Sequence, residues 1–379
     1  MKASISQYSS GEWKKHSSEN ELNNQKAQLA LCFGNKELLQ QQDFYSQVSK
    51  KFPNAAVVIS STAGEIYHDT VSDHSLVVAA LQFDKTKIET VAVNIKDFAN
   101  SYDAAAELAN RLPKEKLVHI LVFSDGNLVN GSELVKGLVT WTGENVMVTG
   151  GLAGDGANFN STLVGFNINA VEGQIVAIGF YGDNISITHG SQGGWDVFGL
   201  EKRITKSKSN VLFEIENQNA LELYKKYLGE EASNLPGSAL LFPLSVVIPG
   251  TKKPVVRTIL SINENEKSMT FAGDVPEGSK VRFMKANFDR LTEAASGAAE
   301  NTLANHTFKP VFSLLISCVG RKLILGERTV EEVKAVNKTY DNKTAIAGFY
   351  SYGEISPFNE GNDCQLHNQT MTITSFYES

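Results

Sequence analysis

His119-Ile120-Leu121-Val122-Phe123-Ser124-Asp125-Gly126 is an apolar run, long enough for one buried strand, that stops at a glycine. A helical stretch follows, with Leu134, Val135, Leu138 and Val139 spaced for one face. A second apolar run, Asn145–Val148, then ends in Gly150-Gly151-Leu152-Ala153-Gly154-Asp155. The order is strand, glycine, helix, strand, then glycine and an acid. A βαβ crossover makes its two strands parallel and right-handed, so both glycine-bearing ends lie on one carboxyl edge of a sheet.

The same order occurs twice more. Upstream, Leu29–Gly34 leads into a helix with Leu38, Leu39, Tyr45 and Val48 on one face. Ala55–Ile59 follows, closing in Ser60-Ser61-Thr62-Ala63-Gly64-Glu65. Downstream, Phe312–Ile316 runs into Ser317-Cys318-Val319-Gly320. A helix then carries Val330, Val333, Val336 and Tyr340, with Thr329 and Glu332 spaced as a capping box. Thr344–Ala347 closes that copy in Gly348-Phe349-Tyr350-Ser351-Tyr352-Gly353-Glu354. Ligands of open α/β sheets bind outside the carboxyl edge. Gly64, Gly154, Gly320 and Gly353 are therefore expected around a common hollow, unless they are only turns.

Segments between these units alternate as strands. Leu76–Phe83 with Ile88–Ile95, Leu163–Ile168 with Ile175–Phe180, and Val256–Ile262 with Ser268–Phe271 read as hairpins. Thr370–Phe376 reads as an edge or closing strand. Further helices are expected over 219–228, stopped by Gly229, and over the Ala-rich 289–303. The fold class is α/β (mixed α+β): repeated βαβ units plus hairpins, in two mixed sheets covered by helices, with two pseudo-equivalent halves. The expected boundaries are a loose N-terminal tail over 1–23, one domain over 24–204 and another over 205–379, with polar Thr205–Asn210 between them.

The chain has 379 residues, of which 42% are hydrophobic and 20% charged, which excludes global disorder and coiled-coil architectures. The net charge of −7 argues against nucleic acid as a partner. No apolar run approaches the roughly 18 residues of a membrane helix, and no signal peptide is visible at Met1–Gln7. Three cysteines, Cys32, Cys318 and Cys364, cannot all pair, so a reducing, cytoplasmic setting is expected.

Several segments together resemble the FIST (F-box and intracellular signal transduction) family. Ser61-Thr62-Ala63-Gly64-Glu65-Ile66 is similar to its STAGEI element, and Gly150–Gly156 to its GG-x-AGD segment. His189-Gly190 with Asn219–Tyr224, Phe271–Gly278, Ser317–Arg321, Gly348–Ile355 and Leu366–Thr370 follow in the family's order. The resemblance spans roughly residues 28–376 and implies a cytoplasmic sensory module that binds a small ligand, such as an amino acid. It also implies, for a stand-alone subgroup, haem as cofactor and nitric oxide as signal. The partner implied in trans is a histidine kinase or a diguanylate cyclase/phosphodiesterase.

Gly64, Glu65, Gly154, Asp155, Tyr352 and Glu354 are the candidate ligand-binding residues at the shared edge, joined by Cys318, Arg321 and His367. An acid beside Arg321 or Arg257 would suit an amino-acid-like ligand. His367 and His189 are the candidate haem ligands; binding would be non-covalent, since Cys-x-x-Cys-His does not occur. Each of these histidines is equally readable as a packed loop residue. His119 reads as core, and His16, His68, His74 and His306 as surface residues. The enzyme alternative takes Cys318 as nucleophile, with Arg321 lowering its pKa, His367 as base and Glu354 as orienter. The same thiol is equally readable as a redox sensor or as an inert buried group. P-loop, G-x-G-x-x-G, H-E-x-x-H and G-x-S-x-G signatures do not occur, which argues against the chemistries they carry.

Overall fold

In the computed structural model the described residues are 1–15, 22–143, 146–235, 237–251, 253–304, 306–357 and 364–379. All three βαβ units form. Leu29–Gly34 runs parallel to Ala56–Ser61, Leu117–Ser124 to Met147–Leu152, and Phe312–Cys318 to Ala345–Ser351. The helices of the first two units start where the sequence offers caps. Asn130 Oδ1 accepts the N–H groups of Ser132 and Glu133, and Gly143 ends Gly131–Thr142 at φ +85°. Helices Ala220–Leu228 and Phe288–Thr302 lie within a residue of where the periodicity puts them.

The units are laced together by exchange. After its second parallel strand, each unit sends a short strand to a neighbour. Glu65–Tyr67, from the first, pairs antiparallel with Ala345–Ser351 of the third. Gly353–Pro357, from the third, pairs with Met147–Leu152 of the second. Val164–Phe166, from the second, pairs with Ala56–Ser61 of the first, which closes the cycle. Each chain segment then returns to its own unit. Ser75–Gln82, Gln174–Tyr181 and Met371–Glu378 lie beside the three opening strands. Outside them lie Lys2–Ser9, Lys87–Asn94 and Ile185–Gln192.

Repeated βαβ units and mixed sheets are thus present as expected, but the described residues form four sheets, and the internal likeness is threefold. Phe83, Phe180 and Phe376, at corresponding places near the ends of the return strands, bear on one another at ring separations of 5.9 and 5.4 Å. Phe33, Phe123 and Phe349, one from each unit, meet at 4.9–6.1 Å. These rings belong to one buried cluster shared by the three units.

The expected hairpin partners are corrected accordingly. Leu76–Phe83 and Ile88–Ile95 lie in different sheets, as do Leu163–Ile168 and Ile175–Phe180. Ser75–Gln82 is buried throughout, so it needs a neighbour on each edge, which a two-stranded hairpin cannot supply. Met371–Glu378 is likewise interior, between Ile185–Gln192 and Phe312–Cys318. Of the expected Val256–Ile262 hairpin strand, Ile259–Asn263 pairs with Ser268–Phe271, whereas Val255–Arg257 is a separate strand paired with Leu244–Val247. The supposed tail is a strand over Lys2–Ser9, paired along its whole length with Ser75–Gln82 and burying Ala3 and Ile5. Its inward Ser6 and Gln7 hid the pattern.

The fourth sheet is an insertion in the third unit, between Ile185–Gln192 and helix Phe288–Thr302. It is wholly antiparallel and has its own core, with Tyr224, Phe271 and Phe283 among the buried residues. The boundary expected at 204/205 falls inside the continuous strand Asp196–Lys208. Among the described residues, no helix is long and apolar enough to cross a membrane.

Candidate functional site

The carboxyl ends of the three units do converge. Ala63 N–H donates to Tyr350 O at 2.8 Å, Gly154 N–H to Ser61 O at 3.0 Å, and Tyr352 N–H to Leu152 O at 3.2 Å. The glycines there are packed, however. A Cβ on Gly154 would sit 2.9 Å from Ala63 N, and one on Gly353 2.9 Å from Leu366 Cδ1. On Gly64 (φ +138°) it would meet Lys322, and on Gly320 the Gln369 amide. The four glycines therefore do not enclose a hollow: Gly154 lets backbone pass close to backbone, and the other three make room for the side chains of Lys322, Gln369 and Leu366.

Two of the acids pin that crossing. Glu65 accepts from Thr62 Oγ1 at 2.5 Å, from Ser75 Oγ at 2.8 Å and from Ser75 N–H at 3.1 Å. Glu354 repeats the construction with Ser351 Oγ at 2.6 Å, Thr370 Oγ1 at 3.0 Å and Thr370 N–H at 3.2 Å. In each case a hydroxyl three residues earlier and a residue at or next to the start of the return strand hold the carboxyl. Burial pushes Glu65 up to about 7 and Glu354 up to about 8. Asp155 accepts the N–H groups of Phe159 at 2.8 Å and of Asn160 and Ser161 at 3.1 Å, together with the Tyr352 hydroxyl.

Arg321 is wholly buried and committed inside the chain. It pairs with Glu332 at 2.8 Å and donates to Gly193 O at 2.6 Å and Leu291 O at 2.8 Å. Glu332 faces this pair and the hydroxyls of Ser317 and Tyr350, not the helix end where a capping box would put it. Cys318 is buried, and burial followed by the Glu354 charge pushes its thiol up, opposite to what a nucleophile needs. His367 pairs across strands with Glu354, and its Nε2 lies 3.0 Å from Ser356 O; burial pulls it down to about 4. His189 lies opposite Thr374, near enough to His119 and His367 for both to feel its charge. His119 is buried in the core, as expected, and His16 lies outside the described residues.

The cavity opens to one side of the convergence. It has a volume of about 410 Å³ and lies between the second unit and the inserted sheet. One wall is the loop Gly126–Gly131, which follows Leu117–Ser124. Asp125 shapes that loop by accepting Asn127 and Leu128 N–H at 2.8 Å. Facing it are Asn210, Leu260 and Phe271–Asp274 of the inserted sheet. Leu152 and Leu366 also line it, and so does Tyr352, with Phe159 stacked on its ring at 4.6 Å. Leu128, Phe159 and Leu260 remain 40–48% exposed at this cavity.

Of the expected ligand-binding residues only Tyr352 lines the cavity, and Asp155 holds its hydroxyl. Glu65, Glu354, Arg321, Cys318 and His367 instead serve the packing, because each is buried among partners from its own chain. Arg257 stands behind the wall, its N–H groups on Asp274 O and Leu366 O at 2.9 Å. Haem iron needs an axial ligand, and neither His189 nor His367 is among the lining residues, so these residues do not fit haem in this cavity. Sequence reasoning missed Asn130, Phe159 and Asp274. Gly273-Asp274 is also a glycine–acid pair, but no βαβ unit precedes it.

Compared with known families, the chain matches the FIST N domain over residues 28–218 and the FIST C domain over residues 220–357. No curated protein matches it.

Proposed function

Because the chain belongs to the FIST family, whose domains are sensors in signal transduction, we propose that it is a cytoplasmic sensor that takes a small polar ligand into the cleft between the second unit and the inserted sheet. The observation that carries this reading is the composition of the walls. Four stretches separated in sequence supply them: Gly126–Gly131, Phe159, Phe271–Asp274 and Tyr352. A ligand bridging such parts binds one relative placement better than another, and only that difference in affinity can shift an equilibrium. The output would pass to a histidine kinase or a cyclic-di-GMP enzyme in trans. An amino-acid-like or amine ligand suits the mixture of amide, carboxylate and aromatic groups better than haem does.

A binding role also accounts for Cys318 better than catalysis does, since its thiol is buried and pushed away from ionisation. The test is a thermal-shift screen of amino acids and amines on the full chain, repeated with Phe159→Ala. A stabilising compound whose effect Phe159→Ala removes supports the cleft. The absence of any stabilising compound, or an effect indifferent to Phe159→Ala, overturns it.

A further inference from the structure

The cleft has a sign. Its lining contains one carboxylate, Asp274, and no lysine, arginine or histidine. Among the described residues that carboxylate accepts one hydrogen bond, a long one of 3.4 Å from Asn130 Nδ2. Donors of the Gly126–Leu128 turn that an anion would seek are already engaged. Gly126 N–H donates to Thr162 Oγ1 at 2.7 Å, and Asn127 and Leu128 N–H to Asp125. The positive end of helix Gly131–Thr142 reaches the cleft at Gly131, but Asn130 Oδ1 caps it at 3.0 and 3.2 Å. Arg257 directs its hydrogen bonds at main-chain carbonyls, and a Cβ on Gly273 would lie 3.0 Å from its Nε. It moderates the field of Asp274 without presenting donors to the cavity.

The same cavity is lined by the aromatic pair Phe159 and Tyr352, stacked on each other at 4.6 Å. A carboxylate next to aromatic faces is the combination that attracts an organic cation. We infer that the cleft selects a small cation, a primary amine or guanidinium attached to a flat or apolar portion, over anions and neutral molecules of the same shape. The inference rests on the cleft being the ligand site and adds the charge of what it takes.

The test titrates the full chain with phenethylamine, phenylethanol and phenylacetate, which share a shape and differ in charge, and with agmatine as a guanidinium probe. Phenethylamine should bind about tenfold more tightly than phenylethanol, a difference of roughly 1.4 kcal/mol, with phenylacetate weakest. Asp274→Asn, which keeps the side chain's shape, should erase the gap between amine and alcohol while leaving alcohol binding unchanged. Phenylethanol or phenylacetate binding as tightly as the amine, with Phe159→Ala abolishing all of it, would overturn the charge inference and leave the cleft standing. If none of the four probes binds, the charge inference falls; if binding ignores Phe159→Ala, the cleft reading falls and this inference with it.

Discussion

Tyr352 of the third unit donates its hydroxyl hydrogen to Asp155 of the second, and the same carboxylate accepts the N–H of Phe159, whose ring lies stacked on Tyr352. One acid thus fixes both members of the aromatic wall. The link spans two units of the fold and borders the cleft, so it ties the shape of the site to the way the units are joined.

Asp155→Ala should therefore be costly. It removes the acceptor of three main-chain N–H groups and of a phenol in a buried place. We expect about 3 kcal/mol lost in urea unfolding, and weaker binding in the cleft. Tyr352→Phe keeps the ring and should cost only about 1 kcal/mol.

Glu354 should leave a pH signature. Its carboxyl is pushed up to about 8 in the fold, against an ordinary value of 4.5. The folded chain then holds a proton that the unfolded chain has lost, so stability falls as pH rises through that window. Glu65 adds a fall that ends near 7. His367 acts in the other direction. Pulled from 6.5 to about 4, it withdraws stability as pH drops between those values. From about 7 to 8 only Glu354 among these three contributes. Denaturant unfolding across that interval should show a decline in the native protein and a flatter profile in Glu354→Gln.

The Arg321–Glu332 pair has no exposure to water. Arg321→Met strands a buried carboxylate and also releases Gly193 and Leu291, so a loss of about 3–5 kcal/mol is expected. Adding Glu332→Gln removes the stranded charge. The double variant should be more stable than Arg321→Met alone, as measured by a double-mutant cycle.

All three cysteines are buried. Iodoacetamide at neutral pH should leave the folded chain unlabelled and modify it fully in denaturant. Cys318→Ser should bind phenethylamine as the native protein does. Rapid alkylation of folded Cys318 would restore the case for a reactive thiol.

Much of the fold is legible in the residues. Runs such as Leu29–Gly34 and Phe312–Cys318 declare parallel strands by being largely apolar, and the intervening helices carry clear apolar stripes. The partners of the remaining strands are not legible, because Glu65–Tyr67 and Gly353–Pro357 pair with strands of other units, and local pattern does not encode that choice. The candidate site fared worse for a related reason. Glu65, Glu354 and Arg321 have the residue types and the placement of ligand groups, yet pins that hold an exchange together draw on the same chemistry. Only their partners, Ser75, Thr370 and Glu332, separate the two roles. Tyr352 alone of the expected residues both lines the cleft and is held by a partner, Asp155.

The cyclic strand exchange has a genetic corollary. Severing the polypeptide near residue 204 would leave Met147–Leu152 without Gly353–Pro357, and Ala345–Ser351 without Glu65–Tyr67. Each fragment would be born with a raw sheet margin that only the other fragment fits, so neither is a portable module. Shuffling at that seam should yield insoluble chimaeras, whereas the two fragments co-expressed should reassemble. The sensor is inherited whole.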